Sequence, residues 1–286
     1  MIVSTLLSFG MILVVVWCVI NPSPLKFLLE KVSPTKEFEP NENAIVTDKY
    51  TLYHHQGSKK LIVVFIGGAG LFSKIKTSYG FTNELDKHMK GKSDIVVFNY
   101  PVRFTNTIEY TMNFINDVLQ DFVGHESYAE YYAVGFSFGT FLAGAFYQKE
   151  QSILKSEEMK VKKIGMRFNA FISINGVFKG EFKNKTISRL FSYYIMNGTH
   201  GSQHYNCNDM KIPKYVISSS RDFLLSQTHD FITENKDDTQ FQIYEKELSH
   251  TFAQDTDTVE SIDCITRISK FLLNLQPITT NYTYEL

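Results

Sequence analysis

Residues Gly135-Phe136-Ser137-Phe138-Gly139 place a serine between two glycines, behind Tyr131-Tyr132-Ala133-Val134 and ahead of Thr140-Phe141-Leu142-Ala143-Gly144-Ala145-Phe146. The first flank reads as a strand and the second as a helix, so the pattern has the form of a nucleophile elbow. A serine on a sharp strand-to-helix turn projects its hydroxyl outward. Flanking glycines let strand and helix approach closely at the turn. The start of the helix offers N–H groups to a developing oxyanion. The five residues alone recur by chance in unrelated chains, where such a serine only closes a tight βα turn. The flanking strand and helix make the pattern specific.

Serine is a poor nucleophile until a base takes its proton and a third group orients that base. Histidine is the usual base, because it titrates near neutrality. The chain has eight His, and position selects among them. His250, in Glu247-Leu248-Ser249-His250-Thr251-Phe252, lies between the last strand-like and the last helix-like segment. Asp222 ends Ser219-Ser220-Arg221-Asp222, directly after the preceding strand. Alone, His250 reads equally well as an exposed loop residue and Asp222 as a helix cap. Together with Ser137, each after its own strand, they form a nucleophile–base–acid constellation at the carboxyl edge of a sheet. Asp230 is a weaker candidate for the acid, further from the strand end.

The elements that must position these groups alternate. Lys49–His55, Leu61–Ile66, Ser93–Pro101, Tyr131–Val134, Phe168–Ile174, Tyr215–Ser219 and Phe241–Tyr244 read as strands. Ile108, Met112, Ile115, Leu119 and Phe122 recur at helical spacing behind an Asn106…Glu109 start signal, and Ile262, Ile265, Ile268 and Leu272 line a final helix. Such βαβα alternation predicts an α/β architecture: a mostly parallel sheet with helices on both faces. The segment Gly176–Met210 interrupts it as a small cap-like insertion. Phe136 and Phe138 flank the serine, and the insertion is expected to form a cap over an apolar pocket.

The loop Gly67-Gly68-Ala69-Gly70-Leu71 follows the Leu61–Ile66 strand. It resembles the HGGG-type oxyanion loop of lipases and esterases, with glycine in place of the leading histidine. The expected oxyanion donors are the N–H of Phe138 and that of Ala69, with Gly68 as the neighbouring alternative. A dinucleotide site is the rival reading of Gly68-x-Gly70-x-x-Ser73. That reading lacks the third glycine, and no acidic residue ends the next strand at Asn99-Tyr100.

Taken together, residues 44–275 resemble the α/β-hydrolase superfamily. The elbow, the glycine loop, Asp222 and His250 carry the resemblance, and their order Ser137, Asp222, His250 is that of the superfamily. It implies the α/β-hydrolase fold, with Ser137 attacking an acyl carbonyl. His250 would shuttle the proton, and Asp222 would support the imidazolium. No cofactor and no metal is expected. The implied substrate is a small-molecule or lipid acyl ester. A peptidase or amidase on the same residues stays open, as does a silent hydrolase-fold scaffold at a membrane.

The whole chain bounds these readings. It has 286 residues with 43% hydrophobic and 21% charged, ordinary for one globular α/β domain, and a net charge of −1. No basic cluster interleaved with aromatics forms a nucleic-acid track. No CxxC and no Cys/His pair at zinc spacing occurs. Cys207 and Cys264 could pair or remain thiols. Residues 2–20 carry no charge and are long enough to span a bilayer, so 1–20 is expected to be an N-terminal membrane anchor. A cleaved signal peptide would want a basic start and a small-residue cleavage site, and neither is present. Residues 21–43 read as a polar, Pro-containing stalk, and 44–286 as the hydrolase-like domain. The side of the membrane stays open. Lys26, Lys31 and Lys36 favour the cytosol, and the sequons at Asn184, Asn197 and Asn281 favour a lumen.

Overall fold

The computed structural model describes residues 36–68, 74–101, 107–125, 128–180, 207 and 210–275. The expected anchor at 1–20, most of the stalk, the three sequons, Ala69 and most of the 176–210 insertion lie outside the described residues. Among those described, no helix is long and apolar enough to cross a membrane.

Eight strands form one sheet: β1 (Ala44–Val46), β2 (Tyr50–Tyr53), β3 (Lys60–Phe65), β4 (Asp94–Phe98), β5 (Glu130–Phe136), β6 (Phe168–Ile174), β7 (Lys214–Ser219) and β8 (Thr239–Tyr244). Their spatial order is β1-β2-β4-β3-β5-β6-β7-β8. Only β1–β2 and β2–β4 pair antiparallel; the pairs from β4 through β8 are parallel. The expected parallel sheet is therefore present, with an antiparallel ribbon at one edge. The central strands are buried on both faces, as their runs of Val, Ile and Phe require.

The helices are α1 (Tyr79–Met89), α2 (Ile108–His125), α3 (Phe138–Gln151), α4 (Ile153–Met159), α5 (Leu225–Glu234) and α6 (Val259–Asn274). Thr258 caps α6, its hydroxyl accepting from the Ser261 N–H. Helix α1 packs on α6, and α2 packs on α3. The topology accounts for this division. The β3–β4 crossover runs towards β1, whereas β4–β5, β5–β6 and β7–β8 run towards β8. Right-handed crossovers of opposite direction lie on opposite faces. The reversal leaves a crevice outside the carboxyl ends of β3 and β5, the usual position of a site in an open α/β sheet.

Cys207 and Cys264 are both free and buried. Burial pushes the Cys207 thiol up to about 12 and raises that of Cys264 further, so both are inert, reduced thiols.

Candidate active site

Ser137 sits at the reversal point, directly after β5 and before α3. Its backbone is left-handed, φ 49° and ψ −120°. A non-glycine residue in that region costs about 1–3 kcal/mol. The surrounding packing offsets this: Leu61 to Ile66 are fully buried, and each such side chain contributes about 1.5–3 kcal/mol. The two elbow glycines serve the close approach expected of them. A Cβ on Gly139 would stand 2.0 Å from the Phe65 carbonyl oxygen, and one on Gly135 would stand 2.5 Å from Thr140 Cα. The Thr140 hydroxyl donates to the Gly135 carbonyl at 2.9 Å and fastens the helix start to the strand end.

Gly67 faces the serine. A Cβ there would lie 3.2 Å from Ser137 Cβ, which accounts for glycine where related loops carry histidine. Gly68 follows with φ 59°, so the backbone turns beside the elbow. Phe138 is the first residue of α3, and the first N–H groups of a helix have no partner within that helix. Ala69 lies outside the described residues. Phe136 and Phe138 flank the serine and are both buried. Phe136 is buried edge-on against Phe81 with ring centroids 4.7 Å apart, and Phe138 is buried and stacked on Phe141. Their rings are core, because a strand end and a helix start beneath a sheet edge both point inward.

Asp222 and His250 meet at the same edge. His250 Nδ1 and Asp222 Oδ2 are 2.6 Å apart, with the carboxylate fully buried and the imidazole 9% exposed. A carboxylate only accepts, so Nδ1 carries the proton and Nε2 is the basic nitrogen. His250 Nε2 is buried and has no hydrogen-bond partner among the described residues. Asp222 uses its other oxygen locally: Oδ1 accepts from the Leu224 N–H at 2.8 Å. The histidine-orienting reading of Asp222 is thus realised on one oxygen, while the other closes an Asx-type turn ahead of α5, whose N-cap is Leu224 and not Asp222. Asp230 is excluded as the orienting acid. It is half-exposed, and its carboxylate accepts from Lys179 Nζ, remote from His250.

Hydrogen bonds tie the two halves of the site together. The Val177 N–H donates to the Ser137 carbonyl at 3.0 Å. Two residues earlier, Asn175 Nδ2 donates to the His250 carbonyl at 2.8 Å. The loops after β7 and β8 are stitched by the Ser220 N–H on the Tyr244 carbonyl and by Arg221 on Glu247 at 2.7 Å. Phe223 lies over the histidine, ring centroids 4.6 Å apart, while remaining 65% exposed. Sequence reading missed Asn175 and Phe223. Asn directly at a strand end, before Gly176, is a usable signal for a left-handed turn. Phe223 gives no signal before its neighbour is known.

The site can therefore present a serine on a strained turn with glycine backbone beside it, and at the same sheet edge an imidazole whose buried basic nitrogen has no partner among the described residues. Among the described residues no cluster of His, Cys, Asp and Glu could hold a metal.

No protein-family model matches the chain, and no curated protein matches it. Solved structures do. EstE5 soaked with p-nitrophenyl butyrate is similar with a TM-score of 0.65 and 14% identity, over 87% of this chain and 90% of that one. A hormone-sensitive lipase from a metagenome library gives 0.64 and 15%, over 88% and 90%. An inhibited esterase B from Lactobacillus rhamnosis gives 0.61 and 11%, over 93% and 100%. With this strand order and these likenesses, the chain has the α/β-hydrolase fold.

Proposed function

We propose that the chain is a serine hydrolase of carboxylic esters, acting through Ser137, His250 and Asp222. One observation carries the reading: a left-handed serine at the switch point shares its sheet edge with a buried Asp222–His250 pair whose Nε2 is unpartnered. In the first half-reaction Ser137 Oγ bonds to the acyl carbon and its proton passes to Nε2. The backbone N–H groups of Phe138 and of Ala69 or Gly68 receive the oxyanion. Asp222 stabilises the imidazolium. Nε2 then protonates the departing alkoxide, leaving an acyl-serine. Water repeats the sequence, giving its proton to Nε2 and its oxygen to the acid. The 2.6 Å Asp222–His250 bond is already formed, while the Ser137–His250 bond would form with substrate bound.

An acyl ester is favoured over an amide by the similar structures, which are esterases and a lipase. The uncharged stretch 2–20 supports membrane tethering and, with it, lipid acyl esters as substrates. Residues 36–39 are fastened along the site-bearing edge, Lys36 to Asp257 and Glu37 to Lys74.

A fluorophosphonate probe tests the reading, since it reports an activated serine. The native chain is expected to be labelled, and Ser137→Ala and His250→Ala to lose labelling. Absence of labelling on folded native protein would leave a silent scaffold as the better account.

A further inference from the structure

Asn175 occupies the junction of three strand ends. It follows β6, its side chain is fully buried, and its backbone is left-handed at φ 46°. Its N–H donates to the Ile217 carbonyl of β7 at 2.9 Å. Its Oδ1 accepts from the Ser218 hydroxyl at 3.0 Å and from the Ser219 N–H at 3.3 Å. Its Nδ2 donates to the His250 carbonyl at 2.8 Å. Glycine would adopt this backbone without strain, and a buried side chain there must satisfy its own polar atoms. The amide does so in one way: it grips the end of β7, which leads to Asp222, and the backbone of His250 itself. Val177, two residues on, bonds the Ser137 carbonyl.

We propose that Asn175 is a positioning residue for the reaction, setting the distance between His250 Nε2 and Ser137 Oγ through its side-chain amide. The proposal rests on the serine hydrolase reading of the same site. The packing around the two partners explains the need. Ser137 is fixed by buried strands, whereas His250 sits in a loop after β8, which buries none of its residues. A displacement of the base by about 1 Å costs on the order of 100-fold in rate. The Asn175 amide is the described bond that joins the His250 backbone to the central sheet.

The test compares the native full chain with Asn175→Gly and Asn175→Asp. The glycine variant keeps the left-handed backbone and removes the amide. The aspartate variant keeps the acceptor for Ser218 and Ser219 and removes the donor to His250. For both, the melting temperature, the rate of fluorophosphonate labelling, and kcat and KM on p-nitrophenyl butyrate are measured. Loss of the buried bonds is expected to lower the melting temperature of both variants by several degrees, and the kinetics are read at a temperature where each is folded. Labelling and kcat fall by about 10- to 100-fold, with KM held within about twofold. Labelling at the native rate in either folded variant overturns the proposal. So does a loss of kcat that follows the loss of melting temperature in both variants, which would make Asn175 merely structural. Failure of the native chain itself to label would instead remove the hydrolase reading beneath it.

Discussion

Strand β5 buries five of its seven residues, and the turn after it is packed against the Phe65 carbonyl through Gly139. Strand β8 buries none of its six, and the loop after it reaches His250 with Glu245, Lys246 and Glu247 all exposed. In the proposed reaction the loops after these two strands carry the two ends of one proton transfer. Close packing therefore holds the nucleophile, and discrete polar bonds hold the base: Asp222 on its ring and Asn175 on its carbonyl. Packing is short-ranged and intolerant of added volume. Hydrogen bonds are directional and can be removed singly. Substitutions on the two sides should accordingly fail in different ways.

The largest effect is expected on the polar side. Asp222→Asn retains an oxygen to accept from the Leu224 N–H, so the turn into α5 survives. It removes the charge that opposes His250 Nδ1 and lets the imidazole take the other tautomer. A fall in kcat of about 10³- to 10⁴-fold with a melting temperature near native is expected, by analogy with the same change in chymotrypsin-like triads. Steady-state kinetics with a thermal melt decides it. A loss of stability without selective loss of kcat would show that Asp222 acts chiefly as a cap.

On the packed side Gly139→Ala should do the reverse. Its new Cβ would meet backbone rather than the movable end of a side chain, so nothing nearby can yield cheaply. A destabilisation of about 3 kcal/mol or more is expected, with activity declining in proportion to folded protein. Denaturant unfolding measures it. A folded, stable and inactive Gly139→Ala protein would contradict the division between packing and polar bonding.

The same division explains what the sequence discloses. The elbow is legible because all of its determinants lie within some ten residues: strand, glycines, serine, helix. Strand β3 is legible for the same reason, as the continuous apolar run Leu61–Ile66 with turn residues after it. Asp222 and His250 are legible through their place after successive strands. Strand β1 is only three residues long and half-exposed, so no periodicity marks it. Helix α1 goes unread because its apolar positions, Tyr79, Phe81, Leu85 and Met89, are diluted by Gly80, Asn83 and charged residues. Asn175 goes unread for a deeper reason. Its partners are Ser218 and His250, 43 and 75 residues away, and only the sheet order brings them to it.

The smallest effect is expected at Phe223, where the comparison can be sharpened. This ring is held over His250 on one face and left 65% exposed. A single exposed aromatic needs no functional explanation, so its substitution distinguishes contact with a bound acyl chain from no role. Phe223→Ala should therefore leave Ser137 and the Asp222–His250 bond in place, and the melting temperature unchanged within about 2 °C. It should lower kcat/KM for hexanoyl esters about 5- to 10-fold while moving acetyl esters less than about twofold, the scale of one or two methylenes of lost contact. A chain-length series of p-nitrophenyl esters measures this. Equal losses on acetyl and hexanoyl esters would assign the ring to orienting the imidazole instead. Phe223 would then join Asp222 and Asn175 among the contacts that hold a histidine in the loop after an exposed edge strand.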